Sequence, residues 1–217
     1  MKLPALIVDL GVLMSSRYPR LVEYADAIDV DPGWLVTLLT GVRPFPPDVL
    51  PAPRSDPESA RVRCDRGAAS WAQATAEIER EFLRYAGRPW DTAGYARFLS
   101  AGPGPSLRLR PARALLALAQ AGCSVVVIAT APREFSSAMN GLALPGTSLV
   151  HTADLRLARP DPKVWMAAAA AAGVSVGPSK LRIVADAWES VALIESSGME
   201  FARVWLGDDD DEWVEEL

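Results

Sequence analysis

The sequence predicts an α/β fold: a parallel sheet with helices on both faces, interrupted after its first strand by a block of helices. Three observations carry this. Short continuous apolar runs, among them Leu6-Ile7-Val8 and SVVVIA at 124–129, are bounded by acids, glycines and prolines, as strands buried on both faces are. From Arg110 onward such runs alternate with helical stretches, the rhythm of a parallel sheet. Residues 15–106 break that rhythm with many prolines, several arginines and helical periodicity.

In chain order, residues 3–9 form the first strand, which ends in Asp9 and is followed by Gly11. A carboxylate there serves a cap or turn, or it serves a ligand, because ligands sit at that edge of open α/β sheets. Leu21 to Ile28 and Gly33 to Leu39 are helix candidates, the second with Asp31 as N-cap and Pro32 at the first helical position. The proline-rich stretch 44–57 reads as loop or linker. Ser70 caps a helix reaching Ala86, with Trp71, Ala74, Ile78, Phe82 and Tyr85 on one face. Asp91 to Leu99 is another helix, and Gly102-Pro103-Gly104-Pro105 breaks the block.

A helix from Pro111 to Ala121 then stops at Gly122. Ser124 to Ala129 is a strand, and Thr130-Ala131-Pro132 ends it. Arg133 to Leu142 is a helix and Ser148 to Val150 a short strand. Asp161-Pro162 opens a helix that Gly173 stops. Leu181 to Val184 is a strand leading to Asp186, Ser190 to Ser197 a helix, and Phe201 to Leu206 the last strand. The acidic tail GDDDDEWVEEL reads as solvated.

The bulk numbers exclude several function classes. The 217 residues carry 22 basic and 27 acidic side chains, net −5, without a basic stripe, which argues against nucleic acid. No apolar run is long enough for a membrane span, and Asp9 interrupts any signal-peptide core, so a cytoplasmic location is expected. Cys64 and Cys123 lack metal spacing and read as reduced thiols. The single histidine, His151, argues against a His-based triad or multi-histidine metal site and reads as structural or exposed.

Three strand ends carry polar groups: Asp9, Thr130 and Asp186, with Arg159 between the last two. Parallel strands bring such ends to one edge. The wording DLGVL at 9–13, VIATAPREF at 127–135, Arg159-Pro160-Asp161-Pro162 and IVADAWESVALIESSGM at 183–199 resembles the four motifs of the haloacid dehalogenase (HAD) superfamily. DRGAASWAQATAEI at 65–78 looks like the start of that superfamily's helical cap. The resemblance implies a Rossmann-like core at 1–14 and 107–217 and a helical cap domain at 15–106.

It also implies a chemistry. In such enzymes an aspartate attacks phosphorus, or a carbon bearing halide, and forms an ester. A second acid two residues on serves the leaving group, a hydroxyl and a lysine bind the transferring group, and Mg²⁺ offsets charge repulsion. By resemblance, Asp9 is the nucleophile, Thr130 and Arg159 are catalytic, and Asp9, the Gly11 carbonyl and Asp186 hold Mg²⁺. Four positions depart from the pattern. Gly11 replaces the acid, Ala129 stands in the hydroxyl slot with Thr130 beside it, Arg159 replaces lysine, and Ala185 replaces the first acid of the fourth motif.

Arg17 and Arg133 are candidates for binding the substrate anion, with plain surface or capping roles as the alternative. Trp34, Trp71 and Trp90 read as core of the insertion, and Trp188 as an indole filling substrate space. The expected function is a HAD-like hydrolase of small phosphorylated metabolites with an atypical or impaired site. The alternatives are a catalytically inactive binding or regulatory protein of the same fold and a metal-independent dehalogenase. The expected partner is a small anionic molecule, and a homodimer is left open.

Overall fold

The computed structural model describes residues 5–15, 18–42, 58–101, 106–175 and 181–185, with 194, 200–202 and 214. Arg17, Asp186, Trp188, the proline-rich stretch, the 102–105 breaker and nearly all of the 190–197 helix and the acidic tail lie outside the described residues.

Five strands form one parallel sheet: β1 (Ala5–Asp9), β2 (Val125–Ala129), β3 (Ser148–His151), β4 (Leu181–Val184) and β5 (Glu200–Ala202), in the order β3-β2-β1-β4-β5. Every residue of β1 and β2 is buried, which explains why their sequences run apolar without alternating. Leu6, Val8, Val125, Val127 and Ala129 pack on one face with Leu115 of α6 (Leu109–Gln120). Ala5, Ile7, Val126, Ile128 and Ile183 pack on the other with Val164, Trp165 and Ala168 of α9 (Lys163–Ala171). Each large side chain so buried contributes about 1.5–3 kcal/mol.

The strand order positions the site. The chain steps outward from β1 to β2 to β3 and then crosses to the far side of β1 to lay down β4. The direction of winding reverses beside β1, and at such a point the crossovers part to leave a crevice at the C-terminal strand ends. Asp9 closes β1 opposite Ile128 of β2.

Between β1 and β2 the chain adds α1 (Tyr18–Ala27), α2 (Pro32–Thr40), α3 (Ala60–Asp65), α4 (Trp71–Ala86) and α5 (Thr92–Ser100), followed by α6. It leaves the sheet and returns to it side by side: Met14 bridges Leu107, and the Ser15 amide donates to the Ser106 carbonyl at 2.8 Å. The Asp31 and Ser70 caps are those the sequence predicts, and the Asp91 cap and the Gln73 partner of Ser70 appear in the structure. Asp31 accepts from the Trp34 amide at 2.6 Å, Asp91 from the Gly94 amide at 2.7 Å, and Ser70 and Gln73 form a reciprocal capping box.

The insertion has its own core of Tyr24, Leu35 and Phe82, against which Trp34 and Trp90 pack. Trp71 instead faces Phe135 of the sheet domain, edge to face at 5.6 Å. Tyr85 is about half exposed and stacks on Trp34 at 3.8 Å, so the expected apolar face of α4 narrows to Ala74, Ile78 and Phe82.

Three local details differ from expectation. The helix expected over 133–142 is a 3-10 turn, Arg133–Phe135, running into α7 (Ser136–Asn140). The helix expected from Asp161 starts at Lys163, whose amide Asp161 Oδ1 accepts at 2.9 Å. Helices α3 and α8 (Thr152–Leu155) carry too few residues to show a period. No helix among the described residues is long and apolar enough to cross a membrane.

Candidate active site at the end of the central strand

The site begins with Asp9. Its backbone ends β1 in extended conformation and its side chain caps the 3-10 turn Leu10–Leu13, Oδ1 accepting from the Gly11 amide at 3.0 Å. Gly11 has no side chain to offer here, and its carbonyl accepts from the Met14 amide at 3.2 Å. Capping alone does not explain the environment of Asp9, which is 2 % exposed and pairs through Oδ2 with Arg159 Nη1 at 3.1 Å. Arg159 is itself 8 % exposed. Burying both charges costs several kcal/mol per ion, which close pairing offsets in part.

Two hydroxyls complete the edge. Thr130, one residue beyond β2, has a buried Oγ1 with no hydrogen-bond partner among the described residues. Such a group costs about 1–3 kcal/mol until something bonds it. Ala129, in the slot where the resemblance expects a hydroxyl, is fully buried in the sheet core. Thr152, fully buried at the start of α8, donates to the Asp65 carbonyl at 2.8 Å and lies 3.4 Å from the Ala129 carbonyl. That one hydroxyl joins the insertion to the end of β2.

Asp65 is the residue the sequence reading missed. It ends α3 with its carboxylate 2 % exposed, and Arg61 Nε reaches both carboxylate oxygens, at 3.0 and 2.9 Å. Burial pushes its carboxyl above the ordinary range, while the charges of Arg61 and, more weakly, Arg159 oppose that rise. Arg159 thus connects the Asp9 and Asp65 carboxylates electrostatically. Cys64 beside it is fully buried, and burial with the neighbouring Asp65 charge pushes its thiol up to about 11. Asp65 follows the buried Val62 and Cys64 in a stretch too short to stand out.

The other predicted residues fall elsewhere. Arg133 has a side chain 64 % exposed, donates to the Ala153 carbonyl at 3.2 Å and sits 3.5 Å from Asp154, so here it ties the 3-10 turn to α8. His151 is buried and pairs through Nε2 with Asn140 Oδ1 at 2.8 Å, a structural role. Ala185, directly after β4, is a buried methyl where the resemblance expects an acid. A cavity of about 360 Å³ lined by Trp34, Thr37, Arg61, Arg63, Glu77 and Arg84, among others, belongs to the insertion and takes no lining residue from the sheet.

For Mg²⁺ the turn after β1 offers the Asp9 carboxylate and the Gly11 carbonyl, hard oxygen donors of the kind that ion takes. They fit it in kind. Among the described residues no group of three or more His, Cys, Asp or Glu could hold a metal ion, and Asp186, the expected third donor, is not among them.

An aspartate thus ends the middle strand of a parallel α/β sheet, an arginine pairs with it, and a helical insertion follows the first strand. No protein-family model and no curated protein matches the chain. Solved structures do. A HAD-like family hydrolase from Porphyromonas gingivalis superposes with a TM-score of 0.57 at 14% identity, covering 100% of this chain and 96% of that one. A HAD family enzyme from Bacteroides thetaiotaomicron, in complex with magnesium and inorganic phosphate, gives 0.58 at 14%, covering 97% and 98%. A dehalogenase gives 0.58 at 17%, covering 97% and 88%. The fold of this chain is that of the HAD-like hydrolases.

Proposed function

We propose that the chain is a HAD-type hydrolase of small phosphate monoesters, with Asp9 as nucleophile, the α1–α5 insertion as its cap, and an atypical site. The observation that carries this is the buried pair of Asp9 and Arg159 at the C-terminal end of the middle strand. The likeness to a magnesium- and phosphate-bound HAD family enzyme supports the same reading.

The residues divide the work. The Gly11 amide and Arg159 hold the two Asp9 oxygens in fixed directions, so attack on phosphorus needs little reorientation. Attack forms an oxygen–phosphorus bond while the bond to the leaving oxygen breaks, giving an aspartyl phosphate that water then cleaves. Arg159 meets the negative charge on the phosphoryl oxygens, and a guanidinium can do so with two parallel hydrogen bonds. The unpartnered Thr130 hydroxyl is a donor for the same oxygens. Mg²⁺, held by Asp9, the Gly11 carbonyl and Asp186, would supply further charge neutralisation. Arg17 and Arg133 belong to this reading only as contacts at the outer end of a substrate.

Ala129 and Ala185 favour a second reading, a protein that binds a phosphorylated ligand without turning it over, because both are buried methyls where the chemistry calls for polar groups. One assay separates the two. The wild-type chain with Mg²⁺ is expected to hydrolyse an aryl phosphate, and Asp9→Asn to abolish it. No turnover, together with stabilisation by Mg²⁺ and beryllium fluoride in thermal unfolding, selects the binding protein. Halide release from a 2-haloacid without metal, and no phosphatase activity, selects the dehalogenase.

A further inference from the structure

We propose that Asp65, supplied by the insertion, is the proton donor to the leaving group, in place of the acid that Gly11 lacks. This rests on the hydrolase reading above.

The carbonyl of Asp65 is fixed at 2.8 Å to Thr152 Oγ1, which also lies 3.4 Å from the carbonyl of Ala129 at the end of β2. β2 is the hydrogen-bonded neighbour of β1, with Ile128 opposite Asp9. Asp65 is therefore anchored at the strand edge that carries the nucleophile. Gly67, just beyond it, is packed so closely that an added Cβ would come within 3.1 Å of the Ala153 carbonyl, and its φ is +70°. The end of α3 is thus held against the sheet domain at two points.

A carboxylate 2 % exposed is an expensive way to fill space, and an apolar side chain of similar size would be as stable or more so. Among the described residues, the charges that act on it are those of Arg61 and Arg159. Arg61 on its own helix binds it, and Arg159 acts on it from the loop before α9. On the helices packed against α3, Glu77 of α4 is taken by Arg63 and Asp154 of α8 by Arg133, while α2 has no charged residue. Burial, the largest influence on Asp65, favours its protonated form.

The step balances. As Asp9 bonds to phosphorus, the ester oxygen leaves with the bonding pair and takes the Asp65 proton. Water then attacks the aspartyl phosphate and gives its proton to Asp65, and the electron pair of the broken bond returns to Asp9. Phosphate leaves and Asp65 is protonated again.

The test uses the full chain with Mg²⁺ and two esters, an alkyl phosphate and 2,4-dinitrophenyl phosphate, whose leaving group needs no proton. Asp65→Asn is expected to lower turnover of the alkyl ester about 100-fold or more. It should lower that of the dinitrophenyl ester less than about tenfold, since no acid catalysis is lost there. Equal losses on both esters, or none, overturn the proposal. Should Asp65→Asn fail to fold, Arg61→Gln decides. Removing the counter-charge should move the alkaline limb of the alkyl-ester pH profile upward, and an unmoved limb overturns the proposal. A wild-type chain inactive on both esters overturns the hydrolase reading itself, and this inference with it.

Discussion

Arg159 binds Asp9 at 3.1 Å with both side chains nearly sealed from water. Its removal would therefore leave a buried carboxylate without this cation. Arg159→Met is expected to destabilise the chain by about 3–5 kcal/mol, and Arg159→Lys far less because the charge survives. Urea unfolding of the two variants beside wild type checks this. If Met and Lys cost the same, the effect is one of shape and not of charge. Asp9 was legible in the sequence as an acid ending an apolar strand, and Arg159 through the resemblance of its Arg-Pro-Asp-Pro phrase to the superfamily's third motif. Asp65 was not legible. Its partner Arg61 is local, but the hydrogen bond that anchors its backbone comes from Thr152, 87 positions along the chain, and forms only on folding.

At the scale of elements, α4 shows how a helix of the insertion is tied to the sheet domain. Ser70 satisfies the Gln73 amide, and Glu134 of the 3-10 turn accepts from the Trp71 amide at 2.9 Å. That bond holds the Glu134 carboxyl below its usual range. Ser70→Ala is expected to cost about 1 kcal/mol in denaturant unfolding. Glu134→Ala should instead speed hydrogen exchange at Trp71 while leaving the sheet amides unchanged, and added salt should shrink the wild-type protection because Glu134 is exposed. An unchanged Trp71 amide would remove Glu134 from the contact between insertion and sheet domain. The Ser70 and Asp31 caps were legible, since capping is a matter of neighbours in sequence. The Glu134 contact joins residues 63 positions apart and left no local trace.

For the molecule as a whole, the parallel sheet and the helical insertion were legible because they rest on period and order. How the insertion meets the sheet was not, and that meeting sets how stability varies with pH. Asp65 stands in it with a folded-state pKa raised above the ordinary 3.8. The folded protein therefore binds more protons than the unfolded chain in the window above 3.8 and below the folded value. The contribution of Asp65 is fully present below the unfolded value and is lost as pH rises through the folded one. Asp65→Asn cannot titrate, so its stability relative to wild type should rise across that window and level off above it. Urea unfolding of both proteins at steps from about pH 4 to about pH 8 measures the difference directly. A difference that is flat, or that falls as pH rises, would mean that Arg61 and Arg159 outweigh burial. Asp65 would then enter the catalytic cycle as a carboxylate with no proton to give.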